Sequence, residues 1–208
     1  MKNKVLISIV ILLILVVGLC ACTPTNNATV NVCATINEMA KMGYQTIKLS
    51  VYTTQNDVTL TSEFWASITD LNTMVTYSVE SLNTFTTDDD GNYVVPSEMT
   101  SKKTGSATIK NGVIVESSGE DVNIPVEALS GLSLNFDDSY LSNENIYPDG
   151  TYNVLEAKVD NPAMFTNNWD FDGTDMMVQV RYGEKLETVI IDYLSANGAT
   201  IKVIYKFA

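Results

Sequence analysis

Met176–Tyr182 (MMVQVRY), Leu186–Leu194 (LETVIIDYL) and Thr200–Phe207 (TIKVIYKF) decide how this chain folds. Each is rich in Val, Ile, Thr and Tyr, the residues that suit a pleated, half-buried surface. Gly183-Glu184-Lys185 and Ala196-Asn197-Gly198 separate them as turns, so the three segments predict an antiparallel meander. Val178, Val180 and Tyr182 share one face, and Gln179 and Arg181 the other. In Leu186–Leu194, Val189, Ile191 and Tyr193 face one way, and Leu186, Ile190 and Leu194 face the other. A sheet wet on one side would alternate more cleanly, so helices or a second layer are expected over part of it.

Working back along the chain, period-two alternation recurs. Ile47, Leu49 and Val51 alternate with Lys48, Ser50 and Tyr52; Val58 to Thr69 repeats the pattern; Val75, Tyr77 and Val79 form a third strand. Gln55-Asn56-Asp57, Asp70-Leu71-Asn72 and Asp88-Asp89-Asp90-Gly91 are turns. Asn111-Gly112 joins Thr104–Ile109 to Val113–Ser117 as a hairpin, because both turn positions need positive φ. Thr151–Val159 is a further strand. Helices are expected at Asn31–Met42, where Val32, Ile36 and Met39 recur at helical spacing before Gly43, at Pro125–Leu132, and at Asp160–Phe165, which has a capping residue and an early proline. Ser101-Lys102-Lys103 reads as a solvated loop. The class is mainly β (α+β): an antiparallel meander of about nine or ten strands in one domain, 31–208.

The N-terminus carries an address. Lys2 and Lys4 precede a 15-residue apolar run, Val5–Leu19, and the small residue Ala21 follows. The run is shorter than the roughly 20 residues a membrane span needs, so 1–21 reads as a secretory signal. Leu19-Cys20-Ala21-Cys22 resembles a bacterial lipobox with Cys22 as the acylated residue. That resemblance implies a diacylglycerol on Cys22, a polar tether over 22–30, and a place on the outer face of a cell membrane in the bacterial envelope. Removing Lys2 and Lys4 leaves 10 basic against 25 acidic residues, a net −15. Such a chain cannot neutralise phosphates, which argues against a nucleic-acid partner.

Catalytic chemistry finds little footing. There is no histidine, so neither a Ser-His-acid set nor an activated Cys33 is available, and nitrogen-rich metal sites lack ligands. No enzyme activity and no cofactor beyond the lipid on Cys22 are expected. One motif places oxygen ligands at alternate positions before a glycine: Asn168, Asp170 and Asp172, ahead of Gly173. Calcium loops use that spacing, though Gln179 stands where a bidentate glutamate would close the site. Met164, Phe165, Met176 and Tyr193 are candidates for an apolar ligand surface, for which methionine is well suited. A packed core would use the same residues.

The order of elements, from a short first helix through a three-strand meander and an Asn-Gly hairpin to a closing meander ending in ATIKVIYKFA, resembles the LolA/LppX type of lipoprotein over most of Tyr44–Ala208. The resemblance implies a strongly curved half-barrel with short helices on its concave face, binding a lipid or acyl chain. It also implies an arginine that holds the helices; Arg181 is the only arginine. The alternative is an interaction lipoprotein with a filled core and an envelope protein partner.

Overall fold

The structure, a computed structural model, describes residues 27–83, 86–94, 98–130, 134–166 and 173–208. Ten strands form one open antiparallel sheet: β1 (Thr46–Gln55), β2 (Val58–Ile68), β3 (Thr73–Leu82), β6 (Thr100–Lys110), β7 (Val113–Gly119), β8 (Leu141–Asp149), β9 (Tyr152–Val159), β10 (Gly173–Tyr182), β11 (Leu186–Ser195) and β12 (Thr200–Phe207). The short pair β4 (Thr86–Thr87) and β5 (Tyr93–Val94) stands apart between β3 and β6. The order β7-β6-β3-β2-β1-β12-β11-β10-β9-β8 makes two five-strand meanders, joined where the first strand meets the last. That seam pairs Ile47 with Phe207, Leu49 with Tyr205 and Val51 with Val203. The sheet forms a half-barrel with edges β7 and β8, and its helices lie on the inner face.

Local turn chemistry sets the hairpins. Asn56 and Asp57 have φ of 50° and 63°, and Asn111 and Gly112 have 52° and 73°. Both pairs close two-residue loops, with Gln55 opposite Val58 and Lys110 opposite Val113. Positive φ at both positions matches the twist of the flanking strands.

Four bulges and two strand segments add to or depart from the sequence reading. Between Arg181 and Tyr182 the β10–β11 register shifts, so Tyr182 pairs with Leu186 and Arg181 with Thr188. Leu186 therefore joins Val189 and Ile191 inside, instead of sharing a face with Ile190. The helices expected over part of the sheet cover its inner face, and Ile190 and Ile204 pair, half-buried, on the outer face. Asp175 and Asn143, both near φ 53°, sit in two more bulges, and the fourth shifts the β6–β7 register between Thr108 and Ile109. Strand β8, not among the strands read from the sequence, is the polar LSNENIYPD and contains Pro148. Only an edge strand tolerates such a composition, and a bulge and a proline blunt that edge. Ser101-Lys102-Lys103, expected as a loop, lies in β6. There Ser101 faces Ser81 across the ladder, with hydroxyls 3.0 Å apart.

One continuous apolar face runs through the sheet. Phe64, Tyr77, Ile47, Leu49, Tyr205, Val189, Val180 and Leu155 are buried in it, in register across neighbouring strands. Burying each such side chain contributes about 1.5–3 kcal/mol. Helix α1 (Asn27–Ala40) turns Cys33, Ile36 and Met39 into this face. It begins four residues before the expected start, so residues 27–30, read as tether, are helical. At its end the Tyr44 hydroxyl donates to the Met39 carbonyl (2.9 Å) and accepts the Leu186 N–H (3.2 Å), tying the helix to β11.

Between the edge strands β7 and β8, the described stretches 120–130 and 134–140 lie over the concave face as a strap. It is fastened at both ends. At its entry the Tyr77 hydroxyl donates to the Glu120 carbonyl (2.5 Å), and Lys103 donates to that of Asp121 (3.2 Å). Gly105 makes this possible, because a Cβ there would collide with the Tyr77 ring and the Ser118 carbonyl. At its exit Asn37 of α1 serves both backbone groups of Phe136, donating to its carbonyl (2.6 Å) and accepting its N–H (3.0 Å). Helix α2 (Val126–Ser130) lies between, against β1 and β2. Helix α3 (Pro162–Phe165), capped by Asn161, follows β9 and places Phe165 edge-on to Phe136 at 5.1 Å.

Candidate functional site

Beneath the strap is a cleft of about 570 Å³. Its floor comes from the seam of the sheet: Leu49, Val203 and Tyr205 are buried, as is Ala128 of α2 above them. Toward the rim, Val51, Ile201 and Tyr193 are half-buried. Asn123 and Glu127, both exposed, and the partly buried Pro125 and Val126 complete it. The volume falls within the roughly 300–1,000 Å³ of small-molecule sites, which are concave, mostly apolar and edged by a few polar groups. Burial raises the Tyr205 hydroxyl well above the ordinary tyrosine pKa, so that ring remains neutral.

The four residues expected on a ligand surface separate. Tyr193 lines the cleft. Met176 and Phe165 do not; they are buried in the core, because the Asp175 bulge turns Met176 inward and α3 drives Phe165 against Phe136. Met164, 48% exposed on the outer side of α3, is not among the lining residues either. Their closeness in sequence misled, because a bulge and a capped helical turn intervene. The seam residues went unselected although their alternation was plain. What singles them out is the pairing of β1 with β12, a contact between the two ends of the chain.

Cys22 and the candidate calcium ligands Asn168, Asp170 and Asp172 lie outside the described residues. Among the described residues no group of three or more acidic, Cys or His side chains is placed to hold a metal ion, and no helix is long and apolar enough to cross a membrane. Asp88, in the turn between β4 and β5, spends its carboxylate on the backbone N–H groups of Asp90 and Asn92, which with the Asn92 amide lowers its pKa.

Arg181 lies on the outer face with Gln179 and turns away from the helices. Its guanidinium pairs with Glu187 at 2.8 Å and Asp149 at 3.4 Å and covers the Tyr152 ring at 4.4 Å. It therefore fastens strand ends of the sheet, where a LolA-type arginine would reach the helices. Beside it, Glu156 accepts from Gln179 (2.6 Å) and Tyr147 (2.8 Å), and those bonds lower its pKa. Cys33 is buried, and its thiol is pushed up to about 12, chiefly by burial and then by Asp138, Asp137 and Glu144. It is inert as a nucleophile at neutral pH.

The chain matches no family model, and no curated protein resembles it closely enough to match. Among solved structures, a DUF1329 family protein from Desulfovibrio piger is similar over 88% of this chain and 90% of its own, at 7% identity and a TM-score of 0.23. So distant a likeness adds nothing to the fold or the function.

Proposed function

We propose that this chain is a lipid-anchored extracytoplasmic protein of a bacterial envelope that binds or carries an apolar ligand, such as a lipid or acyl chain, in the cleft under the strap. The observation that carries this reading is the 570 Å³ of apolar-walled space that the molecule's own helices leave unfilled. Acylation of Cys22 would hold the domain close to a membrane. With α1 starting at Asn27, the stretch between spans at most about 17 Å fully extended. The reading assigns no catalytic step and no cofactor to the chain.

The second reading, an interaction protein with an envelope partner, draws on β7. This edge strand is exposed throughout, including Val113 at 62% and Val115 at 58%. Exposed apolar edges favour pairing with another chain.

Native mass spectrometry of the protein purified from its host membranes, with organic extraction of what it holds, separates the two. A discrete noncovalent lipid, lost when Leu49 or Val203 is replaced by Trp to fill the cleft, is the expected result. An apo mass together with a crosslinked envelope protein on β7 would favour the second reading.

A further inference from the structure

We propose that the cleft selects its ligand by the charge of the head group, taking an amphiphile with a cationic head in preference to an anionic one, with Glu127 as the selecting residue. This rests on the apolar-ligand reading above and goes beyond it to the class of ligand.

The cleft grades from buried to exposed. Leu49 and Tyr205 lie at the dry end, and Asn123 and Glu127 at the wet end. An amphiphile minimises its free energy by laying its chain along the first and its head by the second. Among the described residues Glu127 is the sole charged one lining the cleft, and it stands on α2 above the apolar floor. The strap leading to it adds Glu120 and Asp121, both exposed. Lys103 of β6 donates to the Asp121 carbonyl (3.2 Å) and does not line the cleft. The Lys103 ammonium at the strap's entry offsets one of those two carboxylates, so a head group in the cleft meets Glu127 as its lining charge. An anionic head would be repelled there, and a cationic head would find a partner as its chain leaves water.

The full-length chain in neutral maltoside micelles is photolabelled with two diazirine probes of equal chain length, one ending in trimethylammonium and one in sulfate, and the labelled peptides are mapped. Both probes are expected to label segments carrying Val126, Tyr193 and Ile201, the cationic one about two- to fivefold more, as a rim-exposed charge pair supports. Glu127→Gln should bring the ratio to about one, and Glu127→Lys should invert it. Glu184→Lys, on the β10–β11 turn, makes the same change in net charge and should leave the ratio alone. Labelling of the cleft by neither probe would overturn the apolar-ligand reading itself. Cleft labelling with a ratio of one or below in the unaltered chain, or an equal shift from Glu184→Lys, would overturn head-group selection and leave the cleft standing.

Discussion

The two meanders of the sheet use the same alternation to different ends. In the C-terminal meander, β8 to β12, the inner face is closed by α1, α3 and the end of the strap, and Leu155, Val180, Met176 and Phe165 are all but inaccessible. In the N-terminal meander the inner face is well buried only near the Thr46 end of β1. Toward the Gln55–Val58 turn, Val51, Leu60, Ser62, Val79 and Ser81 are half-buried, and β7 is bare. The difference teaches where the apolar cover ran out. Helices α1 and α3 with the strap are enough for about half of a ten-stranded half-barrel, and the cleft lies at the boundary, on the seam.

The sharpest test of that contrast is a pair of truncations. Leu155→Ala, in the filled half, should cost about 2–5 kcal/mol by equilibrium urea unfolding. Val79→Ala, half-buried in the open half, should cost about 1 kcal/mol. Equal costs would erase the distinction between the meanders.

Next in size is the fastening of the strap. Asn37→Ala leaves the N–H and C=O of Phe136 without their partner and should destabilise by about 1–3 kcal/mol. Hydrogen exchange should quicken around residues 134–136 and not in β1. An unchanged exchange pattern would mean that the strap is held by its apolar contacts alone.

Alkaline titration probes the filled half from within. The Cys33 thiol is raised above its unfolded value, so its contribution is whole below about pH 9 and is lost as pH rises toward about 12. Tyr44, Tyr182 and Tyr205, raised chiefly by burial, add losses of the same sign at the upper end. The urea midpoint should therefore fall from pH 9 upward, and the stability gap between the unaltered protein and Cys33→Ala should narrow over the same range. A gap that stays constant would place the thiol in water.

The smallest effect belongs to the bare edge. Val115→Lys should change stability by no more than about 0.5 kcal/mol, since the side chain it replaces is largely exposed. It should also lower any self-association seen by light scattering, because lysine on an edge opposes strand pairing. A large loss of stability would show that β7 is covered.

Much of this architecture is readable without coordinates, and the reason is local. A type I′ turn is a property of two residues, so Asn111-Gly112 announces its hairpin. Alternation is a property of a single strand, so β1, β2, β3 and β9 to β12 declare themselves. Arg181 follows Gln179 to the polar face by parity. The same locality explains the errors. Leu186 was assigned to the wrong face because a bulge shifts parity by one residue, and nothing in YGEKLET marks where a bulge falls. Met164, Phe165 and Met176 were grouped by nearness along the chain, whereas the fold sends one to the surface and two to the core.

By itself, then, the sequence determined most of the strands and the tight turns, because each depends on residues within a few positions of one another, and the acidic balance, which is a sum over the chain. Only the tertiary structure decided the seam of β1 against β12, the recruitment of the polar LSNENIYPD as an edge strand, the fastening of the strap by Tyr77 and Asn37, and the cleft. Those features join residues separated by as much as 160 positions, as Ile47 and Phe207 are. Their free energy comes from apolar surface and backbone groups that meet only when the whole sheet has closed around its helices.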